Sequence, residues 1–450
     1  MSFGSLIFLF LFLPASLLLY NLVPGPAKKA VMILLSFLFY AWGNPQHLLV
    51  LILSILFNYF SASEMIRWKQ NGSVLAARIA FFGAVAVDVI VLAIFKYTSL
   101  GLPLGISFYT FSIISYLADL YMEKAGRADN LINFTLFVSF FPKVGSGPIV
   151  RYQDFEEQLL NIKPGLIAVQ DGLYLFLMGL FKKILIADAL GAAFSQVTQL
   201  AGMAQATAWL GAFFYFLQLY FDFSGYSDMA IGLSRMFGFR FEKNFDYPYL
   251  SNSINDFWRR WHISLGAWFR NYVYIPLGGN RCSTLCQVRN LLAVWILTGI
   301  WHGSTLNFLI WGLYHGAFAM LERFLLKDTL EKIPDVIRIL VTDIIVFFGW
   351  VMFFSPSMGE ALRYYGLMFG AGSLGFWNRT TTFLLVEKLP LLIIAVILCG
   401  PWVFRLHESL AFKEGGLYKT VSLLVFTALF LVCTAGIVGS TYTSFLYAKF

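Results

Sequence analysis

Two tryptophan–histidine pairs, Trp261-His262 and Trp301-His302, are the residues of this sequence best suited to chemistry. The chain has only five histidines in a strongly apolar sequence, and each pair stands beside small, polar or basic residues. A histidine at membrane depth costs free energy, so such a residue usually has a function. Imidazole is also the side chain best suited to take up and return a proton near neutral pH. The pairs therefore indicate acid–base chemistry inside a membrane protein.

Several other reactions are disfavoured because their motifs are absent. The sequence has no phosphate-binding G-x4-G-K-[ST] loop, no H-E-x-x-H zinc motif and no G-x-S-x-G nucleophile elbow. A histidine can instead deprotonate an acceptor hydroxyl, whose oxygen then attacks an activated acyl carbonyl. Acyl transfer needs water to be kept away from the activated donor, and a membrane-buried channel excludes it.

The first pair lies in an aromatic and basic segment, residues 255–270. On one continuous helix, Trp258, Trp261 and His262 share a face. Tryptophans and arginines are also typical of an amphipathic helix at the membrane interface, and the spacing fits that interpretation at least as well. The polar residues of this segment that could line a substrate channel are Asn255, Asp256 and Arg259.

The second pair has glycine on both sides, in the segment Thr298-Gly-Ile-Trp-His-Gly303. Glycine allows close backbone approach or a kink, and strongly apolar runs flank the segment. We therefore expect His302 to lie in or near the membrane and to be the better candidate for a general base. His315 follows thirteen residues later (315 minus 302), and we interpret it as a buried histidine satisfied by one hydrogen bond.

Further polar residues lie between apolar runs. The segment 222–228 contains two carboxylates, and its candidate channel-lining residues are Ser224, Tyr226 and Asp228. Cys282 and Cys286 form one C-x3-C pair without a second half, which is weak support for zinc and none for a disulfide framework. We expect no metal site.

The elements that position these residues are apolar helices. Of the 450 residues, 59% are hydrophobic and 12% are charged, whereas a soluble domain has about 25% charged residues. Mean hydropathy is +0.73, and apolar runs long enough to cross a bilayer recur throughout the chain. We predict an all-α polytopic membrane protein with one integral domain over residues 1–450, about eleven transmembrane helices and additional re-entrant or interfacial helices.

Charge places the loops relative to the membrane. The net charge is +8, and basic loops usually face the cytoplasm. With an external amino terminus, the loops around Lys28, Arg67 and Lys124 all fall inside. This topology explains the basic residues better than nucleic-acid binding does. We also predict that a helix breaks near Pro142, and that Lys182 and Lys183 mark a helix end, although a wet interior is the alternative.

The order of several motifs resembles the membrane-bound O-acyltransferase (MBOAT) family. The segments that carry the resemblance are Asp222-Phe-Ser-Gly-Tyr-Ser-Asp228, Phe257-Trp-Arg-Arg-Trp-His262-Ile-Ser-Leu265, Tyr274-Ile-Pro-Leu-Gly-Gly-Asn-Arg281 and Thr298-Gly-Ile-Trp-His-Gly303. Residues 104–111 and 141–151 fit the bacterial alginate O-acetyltransferase-like branch of that family.

The resemblance implies helices around a central funnel or tunnel, with His302 catalytic and His262 as a second functional histidine. It implies an acyl thioester donor, most simply acetyl-CoA, reached from the cytoplasm, with no permanently bound cofactor. The acyl group is then expected to pass outward, to a periplasmic or extracellular partner protein and an exported polysaccharide such as alginate. The resemblance therefore implies that the protein lies in the bacterial inner membrane, in contact with its lipid.

Two alternative functions stay open at this point. One is D-alanyl transfer from a carrier protein to a cell-wall polymer, which needs a docking surface for the carrier. The other is a proton-coupled transporter or flippase, because intramembrane His, Asp and Lys residues also form proton relays. The absence of a visible inverted repeat argues against the transporter.

Overall fold

The computed structural model describes residues 1–128, 130–159, 165–411 and 416–439, and within them the regular structure is helical. Six helices in this part of the chain are long and apolar enough to cross a membrane. They cover residues 45–70, 74–97, 284–302, 335–354, 379–398 and 420–439. The protein is thus an all-α, multi-pass membrane protein, as predicted. The count of eleven spans and the central tunnel stay predictions.

The described helices fall into two compact units. The first comprises residues 1–180 and 226–243, and the second comprises residues 181–225 and 244–439 of the described chain. The helices that begin in the first unit are α1 (Leu13–Leu22), α2 (Lys28–Ala41), α3 (Pro45–Gln70), α4 (Val74–Tyr97), α5 (Ile106–Tyr121), α6 (Leu131–Ser139), α7 (Phe141–Val144), α8 (Tyr152–Leu159) and α9 (Leu166–Phe181).

The second unit contains the two tryptophan–histidine pairs. Its helices are α10 (Asp188–Thr198), α11 (Gln205–Met236, which continues into the first unit), α12 (Ile254–Arg260), α13 (Ile263–Phe269), α14 (Thr284–His302), α15 (Leu306–Leu321), α16 (Lys327–Leu330), α17 (Asp335–Phe354), α18 (Met358–Met368), α19 (Arg379–Leu398), α20 (Trp402–Ala411) and α21 (Gly416–Gly439).

Within the first unit, α3 and α4 form a hairpin around a turn at Gly72, where φ is +73°. Inside this hairpin the Asn58 amide donates to Asp88 Oδ1 at 2.8 Å. The predicted helix break near Pro142 is confirmed. Helix α6 ends before Phe140, and α7 begins there as a single turn with a proline in its first positions.

Glycines bring α14 and α15 unusually close together. A Cβ atom on Gly299 would lie 2.7 Å from the Phe308 carbonyl oxygen, and one on Gly312 would lie 2.5 Å from the Trp295 carbonyl oxygen. Small residues at such positions let membrane helices pack backbone to backbone. Gly303 is equally constrained, since a Cβ atom there would run into the Phe308 ring. The predicted close approach of the glycines beside His302 is therefore confirmed.

One expectation about helix ends is wrong. Lys182 and Lys183 do not mark a helix end, because Lys182–Ala187 continue the helix from α9 into α10 as a π-helix, and the Lys183 side chain is only 4% exposed. Helix α11 runs for 32 residues through the polar segment 222–228. The two facts share a cause: Lys183 Nζ lies 2.6 Å from the carboxylates of both Asp222 and Asp188. A paired carboxylate can stay inside a buried helix, and a paired lysine needs no path to water.

Candidate functional site

The first tryptophan–histidine pair marks a sharp break between two short helices, not the middle of one helix. Helix α12 ends at Arg260, Trp261 is extended, and His262 has a left-handed backbone with φ +46° and ψ +56°. Helix α13 starts at the next residue. The prediction of one continuous amphipathic helix is therefore wrong, and a left-handed conformation is uncommon outside glycine. The chain must hold this conformation by specific contacts.

Asn244 supplies those contacts. Its carbonyl oxygen accepts from the Ile263 N–H at 2.9 Å. Its side-chain Oδ1 accepts from the Ser264 N–H at 3.0 Å and from the Ser264 hydroxyl at 2.9 Å. Two residues on, the Asp246 N–H donates to the Arg260 carbonyl at 2.9 Å. Bonds on both sides of the break fix its geometry.

These contacts also define the tautomer of His262. Its Nδ1 lies 3.3 Å from Asn244 Oδ1, which is an acceptor because the Ser264 backbone N–H donates to it. Nδ1 must then carry the hydrogen, and Nε2 carries the lone pair. His262 is 2% exposed and packs against Phe223 of α11 and Trp301 of α14. Burial lowers the pKa of His262 to about 3, so its imidazole is neutral and able to accept a hydrogen bond.

His302 is the last residue of α14 and is 3% exposed. Its ring packs against three aromatic rings, with centroid separations of 4.7 Å to Trp301, 4.9 Å to Trp311 and 5.1 Å to Phe353. The Trp301 indole also contacts His262, with the ring centroids 6.4 Å apart. Both histidines therefore pack on one indole, although forty residues (302 minus 262) separate them in the chain.

The segment that carries His262 enters this unit from its basic end. The Glu322 carboxylate, just after α15, accepts from the Ile254 N–H at 2.7 Å and the Asn255 N–H at 3.0 Å. The segment from Ile254 to His262 thus runs from Glu322 to Trp301, and the predicted re-entrant arrangement stays a prediction. Arginines meet at this end: Arg289 donates to the Leu277 carbonyl, and Arg323 donates to the side chains of Asn280 and Gln287.

Comparison with known proteins gives a family match over the part of the chain that contains this site. The sequence pattern of the MBOAT, membrane-bound O-acyltransferase family matches residues 122–356, which include both tryptophan–histidine pairs. The chain is 39% identical over 406 residues to the probable alginate O-acetylase AlgI of Pseudomonas aeruginosa, covering 84% of this chain and 76% of that protein. The chain belongs to the membrane-bound O-acyltransferase family.

Other relatives of this O-acyltransferase act on different polymers. The peptidoglycan O-acetyltransferase of Helicobacter pylori is 35% identical over 422 residues, covering 80% of this chain and 78% of that protein. The teichoic acid D-alanyltransferase of Bacillus subtilis is 29% identical over 272 residues, covering 56% of this chain and 68% of that protein. The enzyme falls in the alginate O-acetyltransferase-like branch of the family.

The structure brings some predicted residues of the O-acyltransferase into this site. Trp261 is buried beside His262, and its ring packs on Phe257 and Trp350 at 5.6 and 5.0 Å. Ser224 is buried on α11, next to Phe223, whose ring meets that of His262 edge to face at 4.7 Å.

Other predicted residues have structural contacts instead. The Asn255 amide donates to Glu322 and to the Ala319 carbonyl, both at 3.0 Å. Asp256 accepts from Arg260 at 2.8 Å, and Arg259 is exposed, apart from His262. Residues 226–243 belong to the first unit. There the Tyr226 hydroxyl accepts from the Ser146 N–H at 3.1 Å, and Asp228 is half-buried on α11.

His315 is buried, as predicted, but not by the predicted means. Among the described residues, neither of its ring nitrogens has a hydrogen-bond partner. Its ring instead packs on Trp311 at 5.1 Å, and Trp311 in turn contacts His302. The expectation of a histidine satisfied by one hydrogen bond is therefore wrong.

Sequence reasoning missed three functional contacts in the O-acyltransferase: Asn244, Glu322 and Phe223. Phe223 lies within the motif at 222–228 but was not singled out there, and Asn244 and Glu322 belong to no recognisable motif. Each of the three meets its partner only in the folded chain. The cysteine pair was also misread, since Cys282 and Cys286 are joined by a disulfide after the turn at Gly278 and Gly279. Within the described residues, no three His, Cys, Asp or Glu side chains are arranged to hold a metal ion.

A cavity lies at the end of the second unit where α17 finishes. Its volume is about 340 Å³, and its lining includes Phe194, Thr198, Phe354 and Tyr364. Phe354 follows Phe353 directly, and the Phe353 ring packs on His302. Neither histidine lines the cavity.

Replacing Asn244 with Ala is expected to lower acyl transfer at least tenfold, because the bonds that fix Ser264 and His262 are lost. Asp at this position keeps the acceptor oxygen and should retain more activity than Ala. The initial rate of ester formation by purified enzyme measures both. Ser264→Ala, which removes only one of the donors to Asn244, is the matched control. Equal rates for wild type and Asn244→Ala would show that this contact does not position His262.

Stability is expected to fall on acidification because of His262. The pKa of this group is lowered from 6.5 to about 3 in the folded protein, so between these values only the unfolded chain takes up the proton. The contribution of neutral His262 to the free energy of unfolding is complete above pH 6.5. It is lost progressively as the pH falls toward 3. The unfolding temperature in detergent should therefore drop less between pH 7.5 and 5 for His262→Gln than for wild type. An equal drop in both proteins would contradict this assignment.

Proposed function

We propose that this membrane O-acyltransferase moves an acetyl group from acetyl-CoA to an acceptor hydroxyl at the outer face, for O-acetylation of an exported polysaccharide such as alginate. The observation that carries the proposal is the packing of His262 and His302 on one buried indole. Two histidines in a site that excludes water suit proton transfer without hydrolysis of the donor.

His302 acts as the general base. It accepts the proton of the acceptor hydroxyl while that oxygen bonds to the thioester carbonyl carbon. The carbon–sulfur bond of the resulting tetrahedral intermediate then breaks, and the CoA thiolate leaves and takes up a proton. His262, neutral at working pH, adds a hydrogen-bonding group without adding a fixed charge. No resident cofactor is required for these steps.

Charge supports a donor site at the basic end of the second unit. Positive-inside reasoning places this end in the cytoplasm, and arginines there suit the phosphates of CoA. Topology accounts for the same charges equally well. The outer face then holds the end of α14 that carries His302, where a periplasmic or extracellular partner protein and the polysaccharide are reached. We accordingly propose the bacterial cytoplasmic membrane as the location of the protein.

Relatedness favours acetyl over D-alanyl transfer. The alginate O-acetylase relative matches 84% of this chain at 39% identity, whereas the D-alanyltransferase relative matches 56% at 29%. Membership of an enzyme family also favours acyl transfer over a transporter or flippase.

Donor identity tests the proposal directly. Membrane vesicles that contain the enzyme, its genomic partner proteins and the polymer should incorporate labelled acetyl from acetyl-CoA into alkali-labile ester. D-alanine on a carrier-protein thioester should give no labelled ester. Vesicles without the enzyme control for other transferases. Incorporation of D-alanine but not acetyl would replace this proposal with the carrier-dependent one.

A further inference from the structure

His315 occupies a distinctive place in the second unit. It is completely buried on α15, one helical turn after Trp311. The proposed mechanism gives it no step, and its ring nitrogens have no partner among the described residues. Burying a polar group without a hydrogen bond costs free energy, so an apolar side chain would suit a purely structural position better.

The His315 ring is surrounded by aromatic rings from four helices. Centroid separations are 5.0 Å to Trp258 of α12, 6.1 Å to Trp295 of α14, 5.1 Å to Trp311 of α15 and 6.2 Å to Trp350 of α17. Two of these rings, Trp258 and Trp311, meet the imidazole edge to face. Perpendicular ring contacts of this kind are attractive and depend on the orientation of the rings.

Two of the contacts lead to the proposed reaction centre. Trp311 lies between the rings of His315 and His302, with centroid separations of 5.1 and 4.9 Å. Trp258 stands in the last turn of α12, directly before the break at Trp261 and His262. His315 therefore contacts Trp311, which packs on His302, and Trp258 of α12, the helix that ends two residues before His262.

The fourth helix closes the cluster. A Cβ atom on Gly349 of α17 would overlap His315 Nε2, so the imidazole lies directly against that backbone. The next residue, Trp350, packs on Trp261 at 5.0 Å, and Phe353 packs on His302 at 5.1 Å. A side chain of different size or shape at position 315 changes the spacing of all these elements.

We propose that His315 is a positioning residue for acyl transfer, which sets the separation of His262 and His302 through Trp258, Trp311 and the backbone of α17. This inference rests on the proposed function of the two histidines. His315 does not touch the reacting atoms, and its loss should therefore lower kcat while leaving the KM for acetyl-CoA nearly unchanged.

The test compares His315→Ala and His315→Gln with His47→Gln, a histidine substitution in the first unit. We expect His315→Ala to lower kcat at least thirtyfold with a KM for acetyl-CoA within twofold of wild type. His315→Gln keeps a polar edge and should recover activity to within fivefold of wild type. His47→Gln should be unchanged. A folded Ala variant with a kcat within twofold of wild type overturns the proposal, as does a loss that appears only in KM.

A second readout does not depend on acyl transfer. Diethyl pyrocarbonate modifies neutral imidazoles, and mass spectrometry of the peptides gives a separate rate for His302, His262 and His47. In folded His315→Ala, the rates at His302 and His262 should change at least threefold, while His47 keeps its rate. Unchanged rates at both site histidines overturn the positioning role. If wild type shows no acetyl transfer but these rates still change, the proposed function fails and the positioning role stands.

Discussion

Replacing His302 with Gln is expected to reduce acyl transfer by a factor of about 10² to 10⁴, which is the usual contribution of a general base. Without the imidazole, the acceptor hydroxyl must attack the thioester while still protonated. Gln keeps a polar side chain of similar length, so packing against Trp301, Trp311 and Phe353 should be largely preserved. The initial rate of labelled ester formation by purified enzyme measures the effect.

Two controls separate this loss from misfolding or lost binding. His302→Gln should bind acetyl-CoA with an affinity within threefold of wild type, because the base contacts the acceptor hydroxyl and not the nucleotide. His47→Gln removes a histidine from the other unit and should leave the rate unchanged. A His302→Gln enzyme that transfers acetyl within tenfold of the wild-type rate would show that another group is the base.

The second large effect is expected at the buried cluster of Lys183, Asp188 and Asp222. Replacing Lys183 with Met leaves two adjacent buried carboxylates without their cation. Removing one partner of a buried ion pair costs about 3–5 kcal/mol of stability. Because Phe223 follows Asp222 and packs on His262, activity should fall together with stability. Thermal unfolding of the purified protein in detergent measures the first effect.

Lys182 offers a matched control for this substitution. It is the preceding residue and only partly buried, so Lys182→Met should unfold within a few degrees of wild type. The double variant Lys183→Met with Asp222→Leu removes both charges of the more deeply buried pair and should recover part of the lost stability. A Lys183→Met protein as stable as Lys182→Met would mean that the cluster does not hold α11 in place.

The sequence was most informative about the histidines. Their rarity in an apolar chain, and the glycines beside His302, were sufficient to predict where chemistry is possible and that close backbone approach occurs there. The order of motifs was sufficient to predict the family. These features are local in sequence, and each residue type has a chemical property that does not depend on its partners.

What sequence reasoning missed depends on distant partners. The break at His262 is held by Asn244, eighteen residues upstream, and helical periodicity across residues 255–270 cannot reveal such a contact. Lys183 resembled a helix end because a lysine in an apolar run is costly alone, but Asp222 lies 39 residues away in sequence and neutralises it. Likewise, His315 was interpreted alone, whereas its neighbours come from four helices.

The most direct test of the account is the sidedness of acyl transfer. Vesicles of defined orientation would carry labelled acetyl-CoA at the basic face and the polysaccharide, with its partner proteins, at the opposite face. We predict that acetyl ester forms across the membrane, in proportion to the CoA released. We also predict that His302→Gln abolishes both ester formation and CoA release. Ester that forms only when donor and acceptor share one face, or that forms at the wild-type rate without His302, would contradict it.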